Sequence, residues 1–185
     1  THMEQNLPYD QVFQVIKDRF NAVKLNLSID ADMEIHFEEI LTNMKKGCSK
    51  DYIASRGEYL SAVLVAAYLE VDFVDAAGMI LFDEKGRLLF DETDNAISAE
   101  LSKHKRAVIP GFYGTDVETG EIRTFSRGGS DITGALVAKA MGAEVYENWT
   151  DVSGFLMADP RIVKNPKPIE KISYKELREL SYMGA

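Results

Sequence analysis

Apolar residues recur at helical spacing through the first third of the chain. From Asp10 to Lys24, and again from Asp30 to Lys46, they return every three or four positions, which predicts two amphipathic helices. A third helix is predicted from Lys50 to Glu70, with Ser49 as its N-cap. Residues 4–70 are therefore expected to form a helical part of the fold.

The pattern changes at Val71, where short apolar runs begin to alternate with helical stretches. Such alternation indicates an α/β sheet that helices cover on both faces. We therefore predict a three-layer α/β/α fold around a mostly parallel open sheet for residues 71–185. The predicted strands are Met79–Phe82, Leu88–Phe90, Ala107–Ile109, Ile122–Phe125 and Val145–Trp149, and the predicted helices are Ala96–His104, Asp131–Met141 and Tyr174–Tyr182.

Composition narrows the possible partners. The 185-residue chain has a formal net charge of −9, which argues against nucleic acid or an anionic membrane as a partner. No apolar run has the roughly 18 residues that a membrane span needs. The single cysteine, Cys48, fits the reducing cytoplasm. Residues 1–3 resemble a tag remnant, so residues 4–185 are expected to form a single domain.

A possible metal site on the second helix has a plainer explanation. The acidic residues there lie on the side opposite its apolar stripe, and we interpret them as a solvated face. No metal site built from protein side chains is therefore predicted. The acidic residues are Asp32, Glu34, Glu38 and Glu39.

The candidate chemistry lies between Gly111 and Thr133. Gly128 and Gly129 predict a tight turn from a strand into a helix, with Ser130 as the N-cap and Asp131 in the first helical turn. Together with Arg127, this turn would present backbone N–H groups, a hydroxyl, a guanidinium and a carboxylate at one place. The turn alone is compatible with a ligand site and equally with an ordinary strand-to-helix connection.

The order of the predicted strands favours a ligand site. Polar clusters follow three of them: Gly111-Phe112, Arg127–Asp131 and Thr150-Asp151. Ligands of open α/β sheets bind beyond the carboxyl ends of the strands, so these clusters are expected at one edge. Gly57, inside the third helix, costs about 1 kcal/mol relative to alanine, which suggests the close approach of a backbone or a ligand. Glu58 beside it would, by itself, be a surface carboxylate.

Four segments together resemble the catalytic domain of the aspartate kinases, within the amino acid kinase family. They are SRGEYLSA (Ser55–Ala62), GFYG followed by RTFSRGGSDIT, TDVSGFLMADPR (Thr150–Arg161) and the final SYKELRELSYMGA. The resemblance implies transfer of the γ-phosphoryl group of Mg-ATP to the side-chain carboxylate of L-aspartate. The product would be 4-phospho-L-aspartate, on the way to lysine, threonine and methionine.

The resemblance also implies residue roles. Arg127 would pair with the substrate α-carboxylate and Glu58 would face the α-ammonium group. Asp131 would organise the reacting centre, so Asp131 and Arg127 are the expected catalytic residues. Mg²⁺ would be bound mainly through ATP and water, and the full-length parent is expected to be a homo-oligomer. The rest of the aspartate pocket would be Phe112, Gly128, Gly129 and Ser130, and ATP would be held by Thr150, Asp151, Leu156, Met157, Ala158, Asp159, Pro160 and Arg161.

The sequence departs from the family pattern at both ends. The family begins with a strand and a Lys-Phe-Gly-Gly-type turn, and it continues past Gly184-Ala185 with a second nucleotide-binding lysine and regulatory ACT domains. This sequence contains none of these segments. We therefore expect a central fragment with an incomplete sheet, an unpaired strand edge that favours self-association, and weak or no activity by itself. Leu156 stands where a tyrosine commonly contacts adenine.

The sequence is also compatible with other functions. The chain could phosphorylate another small acid such as glutamate or N-acetylglutamate, although an N-acylated substrate has no ammonium group for Glu58. It could be a non-catalytic module that senses a nucleotide or an amino acid. A serine hydrolase built on Ser130 is disfavoured, because the sequence has no G-x-S-x-G elbow and His104 has no evident partner.

Overall fold

The structure is a computed structural model that describes residues 9–149, 154–159, 161–173, 175–177 and 179. The chain divides into two compact units, Thr1–Tyr146 and Glu147–Ala185. The predicted helical part and most of the predicted α/β part lie together in the first unit. The expected tag remnant, residues 1–3, lies outside the described residues.

Three helices open the first unit, close to their predicted positions. They are α1 (Asp10–Asn26), α2 (Met33–Lys45) and α3 (Lys50–Leu69). Ser49 caps α3 as predicted, because its side chain accepts a hydrogen bond from the N–H of Tyr52. Asp32 caps α2 in the same way through the N–H of Glu34, so α2 begins three residues later than its periodicity predicts.

The three helices share one hydrophobic core. Phe37 of α2 is fully buried at its centre, and the ring of Phe13 from α1 packs edge-on against it at 6.2 Å between centroids. The acidic side of α2 faces solvent, and Lys17 of α1 pairs with Glu34 there at 2.7 Å. Other buried members of this core are Ile29, Met33, Ile40, Met44, Tyr59, Leu60, Val63 and Leu64.

The rest of the first unit is α/β with small open sheets, in agreement with the predicted α/β class and open sheet. One sheet pairs β1 (Asp72–Phe73) with β3 (Ala107–Val108) in parallel. In the other, β2 (Leu81–Phe82) lies parallel to β4 (Tyr113–Asp116), and β4 lies antiparallel to β5 (Ile122–Thr124). A 3₁₀ turn (Ala76–Gly78) and two helices complete the unit, α4 (Phe90–Leu101) and α5 (Gly129–Ala140).

Strand β4 is not among the strands predicted from the sequence. Its residues Tyr113 to Asp116 include a glycine and an aspartate, and both are rare in strands. Packing overrides this preference. A Cβ on Gly114 would lie 2.2 Å from the carbonyl oxygen of Ile80, and the buried Asp116 accepts a hydrogen bond from Arg123 at 2.7 Å.

Two of the predicted strands are wrong. Residues 145–149 form no strand, and Trp149 is 88% exposed. In the run from Leu88 to Phe90, only Leu88 forms a bridge, to Phe82, and Phe90 already begins α4. Apolar composition suggested both strands, but the pairing of Leu88 with β2 does not extend along residues 88–90, and residues 145–149 pair with no strand in the described structure.

A second hydrophobic core lies between the strands and the helices α4 and α5. Ile80 and Ile97 are fully buried in it, and so is the ring of Tyr113. The hydroxyl of Tyr113 donates to Asp75 at 2.7 Å, and burial raises the pKa of this tyrosine. The remaining buried members are Val74, Ala76, Met79, Phe82, Leu101 and Leu136.

The second unit is described in part. Its two extended pieces meet where Leu156 bridges Pro168 and the N–H of Met157 donates to the carbonyl oxygen of Lys167 at 2.9 Å. Ser173 and Glu176 form a reciprocal capping box at the start of a final helical stretch. Residues 175–177 and 179 are helical, in agreement with the predicted last helix. None of the described helices is both long and apolar enough to span a bilayer.

Candidate functional site

Three strand ends meet at the predicted site. Strand β3 leads through Gly111 into Phe112 and then directly into β4. Because β5 runs antiparallel to β4, its last residue, Thr124, pairs with the first residue of β4, Tyr113. The N–H of Phe125 continues the ladder to the carbonyl oxygen of Phe112 at 2.9 Å. The predicted convergence of two of the three polar clusters is therefore present, although β5 is antiparallel.

The turn into α5 begins with glycine rather than with a serine cap. Gly128 is the N-cap in the left-handed region (φ 60°), and no side chain caps the helix. The prediction that Ser130 is the N-cap is wrong, since Ser130 lies within the first turn. Asp131 lies in the first turn as predicted. Glycine suits this position because a side chain at positive φ is strained.

The strap from Gly111 to Phe112 touches the start of α5. A Cβ on Gly111 would lie 2.9 Å from the hydroxyl oxygen of Ser130. A Cβ on Gly129 would lie 2.7 Å from the Cβ of Phe112 and 2.9 Å from the Cβ of Phe125. The structure therefore brings together Phe112, Gly129 and Ser130 of the predicted aspartate pocket, and it requires glycine at both contacts.

The polar groups of this turn face outward. Arg127, Ser130 and Asp131 are exposed, while Gly129 beneath them is buried. The arrangement offers the partial positive charge of a helix N-terminus, a guanidinium and a hydroxyl to an anion. It also places a carboxylate within one turn of them. A small molecule with both charges matches this combination better than a simple anion does.

Glu58 lies on the helix that packs against β5. The carboxylate of Asp51, on α3, accepts a hydrogen bond from the N–H of Thr124 at 3.0 Å. Glu58 is seven residues further along α3, which places it on the same helix face and about 10 Å along the axis. Its side chain is exposed. Glu58 therefore lies on the same face of α3 as Asp51, which contacts the strand preceding Arg127.

Gly57 is not explained by a neighbouring backbone. A Cβ at this position would have no atom within 4 Å in the described structure. The expected close approach of another chain segment is therefore wrong for the described residues, and the space beside Glu58 is open. Room for a ligand is the remaining explanation that the sequence offered.

The predicted nucleotide-binding residues lie in the second unit and are described in part. Thr150, Asp151 and Pro160 lie outside the described residues. Leu156 is half-buried, Met157 is exposed and Ala158 is half-buried. Arg161 donates to both carboxylate oxygens of Asp159, with the shortest contact at 2.7 Å. This pairing lowers the pKa of Asp159, and it means that a phosphate would meet an arginine already paired with a carboxylate.

Among the residues that the structure describes, no group of three or more His, Cys, Asp or Glu side chains is arranged to hold a metal ion. A divalent cation that enters with a nucleotide would take most of its ligands from phosphate oxygens and water, which is usual for Mg²⁺.

One residue of the site was missed by sequence reasoning. Thr133 is 4% exposed, and its hydroxyl oxygen accepts a hydrogen bond from the N–H of Phe112 at 3.1 Å. The two residues are 21 positions apart, so no local pattern could have indicated the contact.

Comparisons with known proteins identify the family. The sequence profile described as "Amino acid kinase family" matches residues 10–185. The chain belongs to the amino acid kinase family. Among its curated relatives, Aspartokinase 3 of Bacillus subtilis (strain 168) is 37% identical over 142 residues, which are 72% of this chain and 31% of that protein. Aspartokinase 1, chloroplastic, of Arabidopsis thaliana is 33% identical and covers 92% of this chain and 34% of its own length.

Solved structures agree with this family. The crystal structure of Clostridium acetobutylicum aspartate kinase matches with a TM-score of 0.90 and 50% identity, over 98% of this chain and 42% of that one. E. coli aspartokinase III, solved in complex with aspartate and ADP, matches with a TM-score of 0.72 at 24% identity, which shows a shared fold. The chain spans about a third of the length of the curated aspartokinases that it matches.

Proposed function

We propose that this chain carries the substrate site of an aspartate kinase. The whole protein would transfer the γ-phosphoryl group of ATP to the side-chain carboxylate of L-aspartate. The observation that carries the proposal is the contact of Phe112 with Gly129, beside the exposed Arg127 and Asp131. This contact occurs in a chain that is 50% identical to Clostridium acetobutylicum aspartate kinase.

The chemistry requires little more than positioning. The acceptor is a carboxylate that is already ionised at neutral pH, so no general base is needed. The protein must hold two anions together and offset the charge that moves between them. A guanidinium at a helix N-terminus suits this task, since both features stabilise negative charge.

The residue roles follow the charges of the substrate. Arg127 would bind the α-carboxylate, since its planar fork matches a carboxylate in a bidentate manner. Glu58 would bind the α-ammonium group, in the open space beside Gly57. Asp131, in the first turn of α5, would orient the reacting groups. Phe112 and the backbone from Gly128 to Ser130 would form the wall of the pocket.

The nucleotide would be held by the segment from Thr150 to Arg161. The aspartokinase III structure of E. coli contains ADP, which supports a nucleotide as co-substrate here. Bound Mg²⁺ would neutralise phosphate charge, and protein carboxylates would contribute few of its ligands. Arg161 would contact the phosphates when its pairing with Asp159 opens or is shared.

The complete domain would have the three-layer α/β/α arrangement with a mostly parallel sheet, and the parent would be a homo-oligomer. A cytoplasmic location would suit the single half-buried cysteine, Cys48. Neither nucleic acid nor a membrane surface is proposed as a partner, because the net charge is −9.

The test measures ADP release by the longest natural form of the protein that contains this chain. L-aspartate, L-glutamate and N-acetyl-L-glutamate are compared as acceptors with Mg-ATP. We expect turnover with aspartate, and we expect E58Q to raise its KM about tenfold or more by removing the charge that faces the ammonium group. Glu38 on α2 is also exposed, so E38Q is the matched control and should change neither the turnover rate nor the KM for aspartate.

Three results would contradict the proposal. Faster turnover with glutamate would indicate a different acceptor. Turnover with N-acetylglutamate that is insensitive to E58Q would remove the role of Glu58. Binding of both aspartate and ATP without any ADP release would indicate a sensing module rather than a kinase.

A further inference from the structure

We propose that Thr133 is a positioning residue for the amino-acid pocket, because its hydroxyl holds Phe112 in a left-handed backbone conformation against the start of α5. The inference rests on the proposed function, which makes this pocket the binding site for the amino acid. The hydrogen bonds by which Thr133 anchors Phe112 are present in the structure whether or not that function holds.

Phe112 has an unusual backbone. Its φ is 70°, in the left-handed region that large side chains rarely adopt. A residue keeps such a conformation only when surrounding contacts fix it. The carbonyl oxygen of Phe112 is fixed by the N–H of Phe125 at 2.9 Å, and its N–H is fixed by the hydroxyl of Thr133 at 3.1 Å.

Thr133 is placed to use both functions of its hydroxyl. Its proton is donated to the carbonyl oxygen of Gly129, one turn earlier in α5, at 2.9 Å. The oxygen therefore turns a lone pair toward Phe112, and the hydroxyl orientation is fixed rather than free. Thr133 is 4% exposed, so water cannot easily replace it as the acceptor for this N–H.

The contact joins the two sides of the pocket. Phe112 lies on the strap that precedes β4, and Gly129 lies in the turn that carries Arg127 and Asp131. Both hydrogen bonds of Thr133 end on these two segments. The two segments pack so closely at Gly111 and Gly129 that a Cβ atom at either glycine would clash with the other segment. A small shift of Phe112 must therefore move the start of α5. Loss of the hydroxyl should therefore loosen the pocket without removing any of its charged side chains.

The chain offers a matched control for this hydrogen bond. Thr93, at 0% exposure, accepts the N–H of Leu81 through its hydroxyl oxygen at 3.0 Å. It belongs to α4 and contacts β2, away from the strap and the turn. T93V and T133V each replace a buried threonine by a residue of the same shape, and each leaves one backbone N–H without its acceptor.

The experiment compares wild type, T133V, T133S and T93V of the 185-residue chain by amide hydrogen exchange, followed residue by residue with NMR. We expect exchange of the Phe112 amide to be about tenfold faster in T133V, which corresponds to the loss of one buried hydrogen bond. T133S keeps the hydroxyl and should restore slow exchange. T93V should accelerate exchange of the Leu81 amide and leave exchange of the Phe112 amide unchanged.

The same four proteins are then titrated with L-aspartate, and we expect about tenfold weaker binding for T133V only. Slow exchange of Phe112 in T133V, or equal acceleration of Phe112 in T93V, would overturn the proposal. If T133V does not fold, fast exchange of the Phe112 amide in the wild type would overturn it by itself. If the wild type shows no aspartate binding, the proposed function fails, while the exchange data still decide whether Thr133 anchors Phe112.

Discussion

The guanidinium carbon of Arg56 lies 4.5 Å from the centre of the Tyr59 ring, and this contact joins the two hydrophobic cores. Tyr59 belongs to the helical core, and Tyr113, whose ring centre lies 5.2 Å from the same carbon, belongs to the core of the α/β part. Arg56 is 7% exposed, and two of its nitrogens donate to the hydroxyl of Ser55. Burial raises the pKa of Tyr59 to about 12, so its hydroxyl stays neutral beside the cation.

Replacement of Arg56 by methionine should destabilise the first unit by about 2–3 kcal/mol, because the cation–π contacts in a desolvated site and both buried hydrogen bonds to Ser55 are lost together. Urea unfolding followed by circular dichroism measures the difference. R87M is the control, since Arg87 pairs with Asp83 on the surface and is 73% exposed. Equal midpoints for R56M and R87M would show that Arg56 does not join the cores.

Replacement of Gly57 by alanine should stabilise the fold and weaken ligand binding. Alanine is favoured over glycine in a helix by about 1 kcal/mol, and a Cβ here would meet no atom of the described structure. Thermal unfolding should therefore move up by about 2–4 °C for a unit of this size. A methyl group in the open space should lower the affinity for L-aspartate. An unchanged affinity in calorimetric titration would mean that no ligand approaches Gly57.

Replacement of Gly114 by alanine should be among the most damaging single changes in the chain. The added Cβ would lie 2.2 Å from the backbone oxygen of Ile80, and neither strand can move without breaking the β2–β4 ladder. We expect a loss of more than about 3 kcal/mol or no cooperative unfolding. Gly78→Ala is the control, because a Cβ there meets nothing within 4 Å. Similar stability for the two variants would contradict the described position of β4.

His104 should make stability depend on pH near neutrality. Its ring nitrogens contact Asp72 at 2.8 Å and Glu100 at 3.3 Å, and these carboxylates raise the pKa of the histidine. The folded-state pKa is thus above the unfolded value of about 6.5. The pairing stabilises the fold fully below that value, and this contribution is lost as the pH rises through the folded-state pKa.

The measurement compares wild type with H104Q in urea at pH 5.5 and pH 8.5. The difference in midpoint should be larger at pH 5.5, where the histidine is charged. In the D72N background, which removes the closer carboxylate, the pH dependence should shrink. A difference that is constant with pH, or one that grows at pH 8.5, would contradict the pairing.

The first three helices were predictable because their signals are local. Periodicity and the caps of α2 and α3 involve residues within one or two turns of each other. The α/β class also followed from local alternation. Strand β4 did not, since it depends on the contact of Gly114 with Ile80 and on the pair of Asp116 with Arg123, which stabilise a sequence that strands usually avoid.

The features of the site likewise depend partly on local signals and partly on contacts between distant residues. The turn from Arg127 to Asp131 carries its own signal, because two adjacent glycines before a helix indicate a tight turn. The position of Phe112 against Gly129 depends on strand order, and the anchoring role of Thr133 depends on two residues that approach only after folding. Such contacts are invisible to periodicity. The exposed residues 145–149 show the opposite error, in which apolar composition indicated a strand that has no partner in the described structure.

The central claim is that Glu58 on α3 and the turn from Arg127 to Asp131 bind the same small amino acid. An NMR titration of the 185-residue chain with L-aspartate tests it directly, because weak binding is sufficient. We predict that the backbone signals of Glu58, Phe112, Gly129 and Ser130 shift together with one dissociation constant, and that succinate, which lacks the ammonium group, leaves the signal of Glu58 unmoved. Shifts confined to only one of the two segments, or different constants for the two, would contradict the account.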